Sequence, residues 1–235
     1  MWGRIDLFGG LKMGKRNALL AIAAVCAVLY GALLVSVAAN ALWVAAFDGA
    51  VQGAIFPLRN PAITPAIAFA TELSDTIPCL IVATAMLAYL LVRRQRRAAG
   101  LYVGALVVTY LLVEGTKFAL SRPRPIGMNL IEFPWNASFP SGHTFVAVVA
   151  VGLAVFVLLK LHPRWPRPAR TALAVAAVLW VAYIGFTRVY LGVHWPSDVL
   201  GSLLLCGGVA LPVAALLWPR VVDRSSRNAS SEKVG

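Results

Sequence analysis

Long apolar stretches separated by short polar segments dominate the pattern of this 235-residue chain. A helix needs about 20 mainly apolar residues to cross the hydrocarbon core of a bilayer, and six stretches approach that length. They lie at 18–38, 66–92, 100–119, 143–160, 171–188 and 197–217. The pattern therefore predicts an all-α, integral membrane bundle of six transmembrane helices, with both termini on the same side of the membrane.

The composition agrees with a membrane protein, because 60% of the residues are hydrophobic and only 13% are charged. An ordinary water-soluble domain is less apolar and carries about twice that share of charge. The formal net charge of +12 would suggest nucleic acid in a soluble protein. Here the basic residues flank apolar stretches, where they usually report topology, so we expect the lipid bilayer as partner and no nucleic acid.

The positions of the basic residues predict which side each loop faces. Sixteen of the 21 Lys and Arg residues lie before the first apolar stretch, in two alternate loops and after the last stretch. Cytoplasmic segments carry such an excess. We therefore expect a cytoplasmic N-terminal segment at 1–17, a six-span domain at 18–218 and a cytoplasmic, disordered tail at 219–235, in a protein of the cytoplasmic (inner) membrane.

The remaining five cations oppose this bias, because they fall on the outward, periplasmic side. Arg59 fits a snorkelling anchor at a helix end. The other four gather in loops that also hold two of the three histidines. Guanidinium and ammonium groups bind phosphate oxygens, so the sequence predicts a phosphate site from Lys117, Arg124 and Arg188, with Arg122 as a candidate fourth.

The tetrapeptide Pro-Ser-Gly-His at 140–143 stands at the start of the fourth apolar stretch. Ser141 suits an N-cap, which would turn the backbone N–H groups of Gly142 and His143 toward a bound anion. An imidazole at that point could donate a proton to a departing oxygen. Taken alone, the tetrapeptide fits a simple capping turn equally well.

The stretch His-Trp-Pro-Ser-Asp at 194–198 predicts a second functional helix start. Pro196 suits the first helical position, so Asp198 falls in the first turn and can reach back toward His194. A carboxylate on one ring nitrogen leaves the other nitrogen as a nucleophile. A simple helix cap would explain this pair if it stood alone, but beside clustered cations it suggests phosphoryl transfer through a phosphohistidine.

Three motifs in this order resemble the signature of the membrane-bound type 2 phosphatidic acid phosphatase family. The pattern Lys-six-Arg-Pro lies at 117–125, Pro-Ser-Gly-His at 140–143, and Ser-Arg-five-His-three-Asp at 187–198. Thr187 stands where the last pattern has serine, a mild departure because both residues carry a hydroxyl. The resemblance implies a membrane-embedded lipid phosphatase that uses no metal or other cofactor.

The resemblance also implies a role for each matching residue. His143 would be the general acid, His194 the nucleophile and Asp198 its orienting partner. The phosphate would be bound by Lys117, Arg124, Ser141, the backbone of Gly142, and Arg188.

Several charged residues lie outside the fixed positions of the motifs. Arg122 fits a spare phosphate contact or a surface charge equally well. Glu114 precedes Lys117 by three residues, a helical neighbour spacing, and is expected to hold the lysine rather than touch substrate. Glu72 and Asp75 would share one helix face near the outer interface. We expect them to be solvated in the lipid headgroup region, and contact with a substrate headgroup is the alternative. No histidine joins them at metal-ligand spacing.

The function that these features predict is hydrolysis of the terminal phosphate from a membrane lipid phosphate or diphosphate at the outer face of the membrane. Within the family, the motif residues of this chain most resemble those of the bacterial branch that acts on undecaprenyl diphosphate and phosphatidylglycerol phosphate. Lipid A phosphatases and phosphotransferases share the signature and remain an alternative. An anion transporter is a distant one, because the charges gather at one face. The sequence leaves the oligomeric state open.

Overall fold

A computed structural model describes the backbone of residues 9–132 and 136–231, and side chains mainly within 16–132 and 136–217. Residues 1–8 of the predicted N-terminal segment 1–17 lie outside the described residues, as do the last four residues of the predicted tail. All regular structure in the described part is helical, which confirms the all-α prediction.

The helices follow one another through short turns and one long loop at 121–141. A 3₁₀ turn, Phe56–Leu58, follows the second helix, and a π-helical turn, Ala147–Gly152, joins the sixth helix to the seventh. The helices are α1 Gly9–Ala38, α2 Leu42–Ile55, α3 Thr64–Glu72, α4 Thr76–Val92, α5 Arg96–Leu120, α6 Gly142–Val146, α7 Leu153–Leu161, α8 Arg167–Tyr190 and α9 Pro196–Ser231.

Five helical segments of the described chain are long and apolar enough to cross a membrane. A sixth span results if α3 and α4, which meet at a 42° bend, count as one. The multi-pass helical fold is thus confirmed, whereas the count of six depends on that pair. The five segments are Arg16–Ala38, Arg96–Leu120, Gly142–Leu161, Arg167–Tyr190 and Pro196–Leu217.

The bend between α3 and α4 corrects the prediction of one continuous span at 66–92. Asp75 caps α4, where its carboxylate accepts a hydrogen bond of 2.8 Å from the backbone N–H of Thr76. Pro78 follows in the first turn of α4, where a missing N–H costs nothing, but it would disrupt a helix that continued through this point. Glu72 and Asp75 therefore lie on either side of a helix break and share no helix face.

The sixth and seventh helices form one span that contains the π-helical turn. Such a turn inserts an extra residue and leaves a carbonyl without its usual helical partner. Tyr102 of α5 meets this need, because its buried hydroxyl donates to the carbonyl of Ala150 at 2.8 Å. The contact fixes the span that starts at Gly142 against α5.

The second helix was not predicted as a span, and with 14 residues it is too short to cross a bilayer. Its Val44 packs with Leu33 and Val37 of α1 and with Phe139 of the long loop. The same helix buries two polar residues, Asp48 and Gln52. Helix α2 therefore packs against the end of the bundle at which the long loop leads into α6.

The last helix, α9, continues to Ser231, into the segment 219–235 for which a disordered, cytoplasmic tail is predicted; the location of that segment stays a prediction. Once a helix is nucleated, each added residue gains one backbone hydrogen bond. No proline follows Pro219 in the tail, so nothing in the sequence stops the helix before its described end.

Helix α9 lies at the centre of the packing, where small residues permit close contacts. A Cβ added at Gly207 would lie 2.9 Å from Cys26 Sγ of α1, and one added at Gly201 would lie 2.6 Å from Cε2 of Phe139. Phe139 is fully buried and directly precedes the Pro-Ser-Gly-His motif. Gly201 thus sets how closely this motif approaches α9.

We predict that Gly201→Ala destabilises the fold by about 1–3 kcal/mol, because the added methyl group overpacks the ring of Phe139. The matched control is Gly104→Ala in α5, where an added Cβ meets nothing within 4 Å and the gain in helix propensity is about 0.5–1 kcal/mol. Thermal unfolding in detergent should show a lower Tm for the first variant only. Equal Tm values for both variants would contradict the proposed close contact.

Candidate active site

The three sequence motifs meet at one end of the helix bundle, around a cavity of about 680 Å³. Lys117 lies in the last turn of α5, whereas the basic turn before Arg96 lies at the other end of the same helix, about 30 Å away at 1.5 Å per residue. Both candidate catalytic histidines line this cavity. Its polar lining consists of Ser74, Asp75, Thr76, Glu114, Lys117, Arg124, Asn136, His143, Arg188 and His194.

Lys117 contributes its ammonium group from the C-terminal turn of α5. Its Nζ atom pairs with Glu114 Oε1 at 2.8 Å, the contact expected from their three-residue spacing. A Cβ added at Gly142 would lie 3.6 Å from Lys117 Nζ. The Lys-six-Arg-Pro motif and the Pro-Ser-Gly-His motif therefore meet at the cavity, where the Lys117 ammonium group lies next to the start of α6.

Arg124 ties the long loop to the turn before α9. Its Nη1 atom donates to the carbonyl of Val193 at 2.7 Å and to His194 Nε2 at 3.0 Å. Its Nε and Nη2 atoms donate to the backbone and side-chain oxygens of Asn136 at 3.1 and 2.6 Å. Burial lowers the pKa of Arg124 from its ordinary value, and Asp198 opposes that shift.

Asn136 was not predicted as a site residue. It holds the guanidinium of Arg124 through both of its oxygens and also lines the cavity. Its position 12 residues after Arg124 matches no local motif, so only the folded loop reveals the pairing.

His194 and Asp198 form the pair predicted from the Pro196 helix start. Asp198 Oδ2 lies 3.2 Å from His194 Nδ1 and accepts a hydrogen bond of 2.9 Å from the backbone N–H of Trp195. Arginine can only donate hydrogen bonds, so its contact requires an unprotonated Nε2 on His194. The Nδ1 atom then carries the proton and donates it to Asp198. In this tautomer the Nε2 lone pair accepts the hydrogen bond from Arg124, which lines the cavity.

The surroundings of His194 keep its ring neutral. Only 2% of its surface is exposed, and this burial is the main reason why its pKa lies well below the ordinary value of 6.5. The positive charges of Arg124, Arg188 and Lys117 lower this pKa further. A neutral imidazole is the form that can act as a nucleophile.

Arg188 approaches the cavity from the end of α8 and is 4% exposed. Its Nη1 atom donates to Thr71 Oγ1 at 3.2 Å, whereas its buried Nε has no protein partner. Thr187 in turn lies 3.0 Å from the same Thr71 oxygen. Thr187, the departure from the serine of the motif, thus helps to hold Thr71 against Arg188. Thr71 itself carried no sequence signal.

The start of α6 agrees only in part with the prediction. Ser141 is the N-cap and Gly142 begins the helix, but no side-chain capping bond forms. The fully buried hydroxyl of Ser141 instead accepts a hydrogen bond from Thr144 Oγ1 at 3.2 Å. Gly142 and His143 line the cavity, whereas Ser141 does not. A phosphate contact of Ser141 stays a prediction.

Arg122 does not line the cavity, and its expected role as a spare phosphate contact or a surface charge stays a prediction. Its Nη2 atom pairs with Asp48 Oδ2 at 2.8 Å, and its Nη1 atom pairs with Asp198 Oδ1 at 2.6 Å. Two carboxylates therefore engage this guanidinium behind the cavity. Sequence reasoning missed Asp48, although a single carboxylate inside the apolar stretch 42–58 is a signal of function in a membrane protein.

The rest of the cavity wall is apolar and leads away from the charged end, between α4, α5 and the span that starts at Gly142. No group of three or more His, Cys, Asp or Glu side chains with metal-site geometry occurs in the part of the chain that the structure describes. The apolar lining consists of Cys79, Leu80, Ala83, Leu106, Val107, Tyr110, Val113, Phe145, Val146 and Ala150.

Comparison with known proteins extends these observations. Over 121 residues the chain is 30% identical to undecaprenyl-diphosphatase of Sulfolobus acidocaldarius, a match that covers 49% of this chain and 53% of that protein. It is 31% identical to undecaprenyl-diphosphatase BcrC of Bacillus subtilis over 151 residues, or 56% of this chain and 68% of that protein. The chain thus spans about half the length of the Sulfolobus relative.

A solved structure has the same fold. It is the transmembrane PAP2-type phosphatidylglycerolphosphate phosphatase from Bacillus subtilis, with a TM-score of 0.70 and 22% identity. The match covers 86% of this chain and 96% of that chain. At this level of identity the likeness concerns the fold.

The fold and the cavity thus define a multi-pass membrane protein with clustered cations and histidines at one end of its bundle. The chain belongs to the PAP2 superfamily, whose family model matches residues 98–221. This membership confirms the resemblance seen in the three motifs, all of which lie inside the matched range.

We predict that His194 in the folded protein titrates below pH 6.5, the ordinary value for histidine. Because an unfolded chain would take up this proton near pH 6.5 and the folded one does not, fold stability should decrease as the pH falls below that value. The measurement is a pH titration of ¹⁵N-labelled histidine in detergent, with His194→Gln used to assign the signal. A midpoint at or above 6.5 would show that the ring is not held neutral.

Proposed function

We propose that this protein is a membrane lipid phosphatase that transfers the terminal phosphoryl group of a lipid phosphate or diphosphate to His194 and then to water. The observation that carries this proposal is the hydrogen-bond chain through the His194 ring. Asp198 contacts Nδ1 at 3.2 Å and Arg124 contacts Nε2 at 3.0 Å, inside a cavity that His143, Lys117 and Arg188 also line.

In the first step, the Nε2 lone pair of His194 attacks phosphorus. The new N–P bond forms as the bond from phosphorus to the leaving oxygen breaks, and that oxygen takes a proton from His143. The leaving group is a lipid alcohol for a monoester or a lipid monophosphate for a diphosphate. Asp198 accepts the hydrogen bond from Nδ1–H throughout, which stabilises the positive charge that develops on the ring.

Arg124 must change partners during this step, because its Nη1 atom contacts the attacking nitrogen in the free protein. A phosphate oxygen is a stronger acceptor for a guanidinium than a neutral imidazole. Binding of the phosphate would therefore draw Nη1 away and free the lone pair. Arg188 Nε, buried without a protein partner, and the Lys117 ammonium group would bind the other oxygens and stabilise the charge of the transition state.

In the second step, the phosphohistidine is hydrolysed. His143, which has lost its proton, accepts one from a water molecule as the water oxygen attacks phosphorus. The N–P bond breaks, its electron pair returns to Nε2, and inorganic phosphate leaves. The proton that His143 gave to the leaving oxygen is thereby restored and His194 is again neutral, so the cycle balances.

The apolar wall of the cavity supports a lipid substrate. It begins beside the charged end and continues between α4 and α5 through side chains such as Leu80, Ala83 and Val107. A phosphate bound at the cations could therefore keep its hydrocarbon chain in apolar surroundings. The apolar wall and the substrates in the names of the relatives together favour a polyprenyl diphosphate, such as undecaprenyl diphosphate, or phosphatidylglycerol phosphate as the substrate. Lipid A phosphates are the alternative within the same chemistry.

The active site is proposed to face the outside of the cytoplasmic membrane. Buried contacts account for Arg122, Arg124 and Arg188 at the cavity end, so these cations do not weigh against the positive-inside rule. The opposite end carries Arg93, Arg94, Arg96 and Arg97 in one turn and a second basic turn at 160–170. This distribution favours a cytoplasmic location for that end.

We predict that purified protein releases inorganic phosphate from undecaprenyl diphosphate or phosphatidylglycerol phosphate in detergent, and that His194→Ala lowers kcat/KM by about 10⁴-fold or more, because the nucleophile is lost. The reaction should continue in EDTA, since protein cations stabilise the transferred group. The matched control is His162→Ala, a histidine that contacts Tyr89 and stacks on Trp165 away from the cavity.

Three outcomes would count against this proposal. Wild-type turnover in the His194 variant would exclude the nucleophile, and complete inhibition by EDTA would indicate a metal-dependent reaction. A panel that includes phosphatidate and lipid A at equal surface density tests the substrate class, since exclusive use of lipid A would replace our assignment.

We predict that a cysteine at position 126 reacts with a membrane-impermeant thiol reagent added to intact cells. Ile126 lies in the loop at the cavity end and is 81% exposed. The matched control is Arg94→Cys in the basic turn at the other end, and both are made in a background without Cys26, Cys79 and Cys206. Labelling of position 94 and protection of position 126 would reverse the proposed orientation.

A further inference from the structure

We propose that Asp48 of α2 is a positioning residue for the reaction, which acts on the His194–Asp198 pair through Arg122. This inference rests on the proposed phosphatase function, and it assigns a catalytic purpose to a helix that is too short to span the membrane. Asp48 lies outside all three motifs and outside the matched range of the family model.

Asp48 is 2% exposed and uses both of its carboxylate oxygens. Oδ1 accepts a hydrogen bond of 2.7 Å from the backbone N–H of Ser197. Oδ2 accepts bonds of 2.8 Å from Ser197 Oγ and from Arg122 Nη2. The carboxylate therefore binds the first turn of α9 and the guanidinium of Arg122 at the same time.

Arg122 connects Asp48 to the candidate catalytic pair, His194 and Asp198. Its Nη1 atom donates to Asp198 Oδ1 at 2.6 Å and to Ser197 Oγ at 2.8 Å. The other oxygen of Asp198, Oδ2, is left for His194 Nδ1 and the backbone N–H of Trp195. Each oxygen of Asp198 thus has its own partners, and its plane is fixed relative to the His194 ring.

The charges of this network explain why a second carboxylate is useful. A guanidinium paired with Asp198 alone would neutralise the charge that His194 needs as its ring becomes positive. Asp48 shares the guanidinium, so Asp48, Arg122 and Asp198 together keep one net negative charge next to His194. Electrostatic interactions of this kind are strong in a buried site.

A purely structural role is the alternative, because a carboxylate at a helix N-terminus satisfies free N–H groups and interacts well with the helix dipole. Asp48 does cap the N–H of Ser197. However, buried ion pairs seldom add net stability over apolar residues of similar size. The contact of Asp48 with Asp198 through Arg122 supports a role in the reaction. Replacement of Asp48 by the neutral isostere asparagine separates the two roles, because a helix cap would affect only stability, whereas a positioning residue would affect kcat.

The experiment compares Asp48→Asn with Gln52→Leu, a matched control one turn further along α2 that is also buried. We expect Asp48→Asn to lower kcat by about 10-fold to 100-fold, the usual effect of losing a hydrogen bond to a buried charge. KM should change by less than about 3-fold, because Asp48 does not line the cavity. Gln52→Leu should leave both constants unchanged.

A second readout does not depend on activity. The ¹⁵N shifts of His194 should show the Nδ1–H tautomer in the wild type and a mixture of tautomers in Asp48→Asn. Should this variant fail to fold, Arg122→Lys tests the same link, since one ammonium group cannot bridge two carboxylates as a guanidinium does, and it should show the same loss of kcat.

Wild-type kcat in Asp48→Asn, or a lower Tm with an unchanged His194 spectrum, would overturn the positioning role and leave Asp48 as a helix cap. These outcomes are distinct from failure of the proposed function, which would appear as a wild-type protein that releases no phosphate from any lipid tested. The His194 spectrum would still report on Asp48 in that case.

Discussion

The His194 ring is held on both of its nitrogens, by Asp198 at Nδ1 and by Arg124 at Nε2, and the rest of the site is arranged around this constraint. Because arginine only donates hydrogen bonds, its contact selects the tautomer in which Nε2 keeps a lone pair. Burial and the surrounding cations keep the ring neutral. A nucleophile is thus prepared before any substrate binds, and a phosphate could free it by competing for Arg124.

The fold brings these groups together from distant parts of the chain. Arg124 and Asn136 come from the long loop, Arg188 from the end of α8, and His194 with Asp198 from the start of α9. Two contacts behind the cavity hold these elements in register, namely the Phe139 ring against Gly201 and the Asp48 carboxylate against Ser197. Each lies outside the cavity itself, so the precision of the site depends on residues that touch no substrate.

The sequence was sufficient to predict the helical membrane fold and the residues whose motifs match the family, because each such motif lies at a helix end with its own local signals. The break before α4 was missed, although Asp75 and Pro78 carry the signals of a new helix start. Asp48 and Thr71 could not be paired from sequence, since their partners are 149 and 117 residues away. The contacts of Arg122 with the buried carboxylates of Asp48 and Asp198 also escape sequence reasoning, because these partners are 74 and 76 residues away.

The most direct test of the account is to identify the atom that carries phosphate in a trapped intermediate. A rapid quench in base preserves phosphohistidine, and ³¹P–¹⁵N coupling in the labelled protein identifies the attachment site. The hydrogen bonds to His194 predict a phosphorus atom bonded to its Nε2. Attachment at Nδ1, or at His143, would contradict the proposal that Asp198 and Arg124 together select the attacking nitrogen.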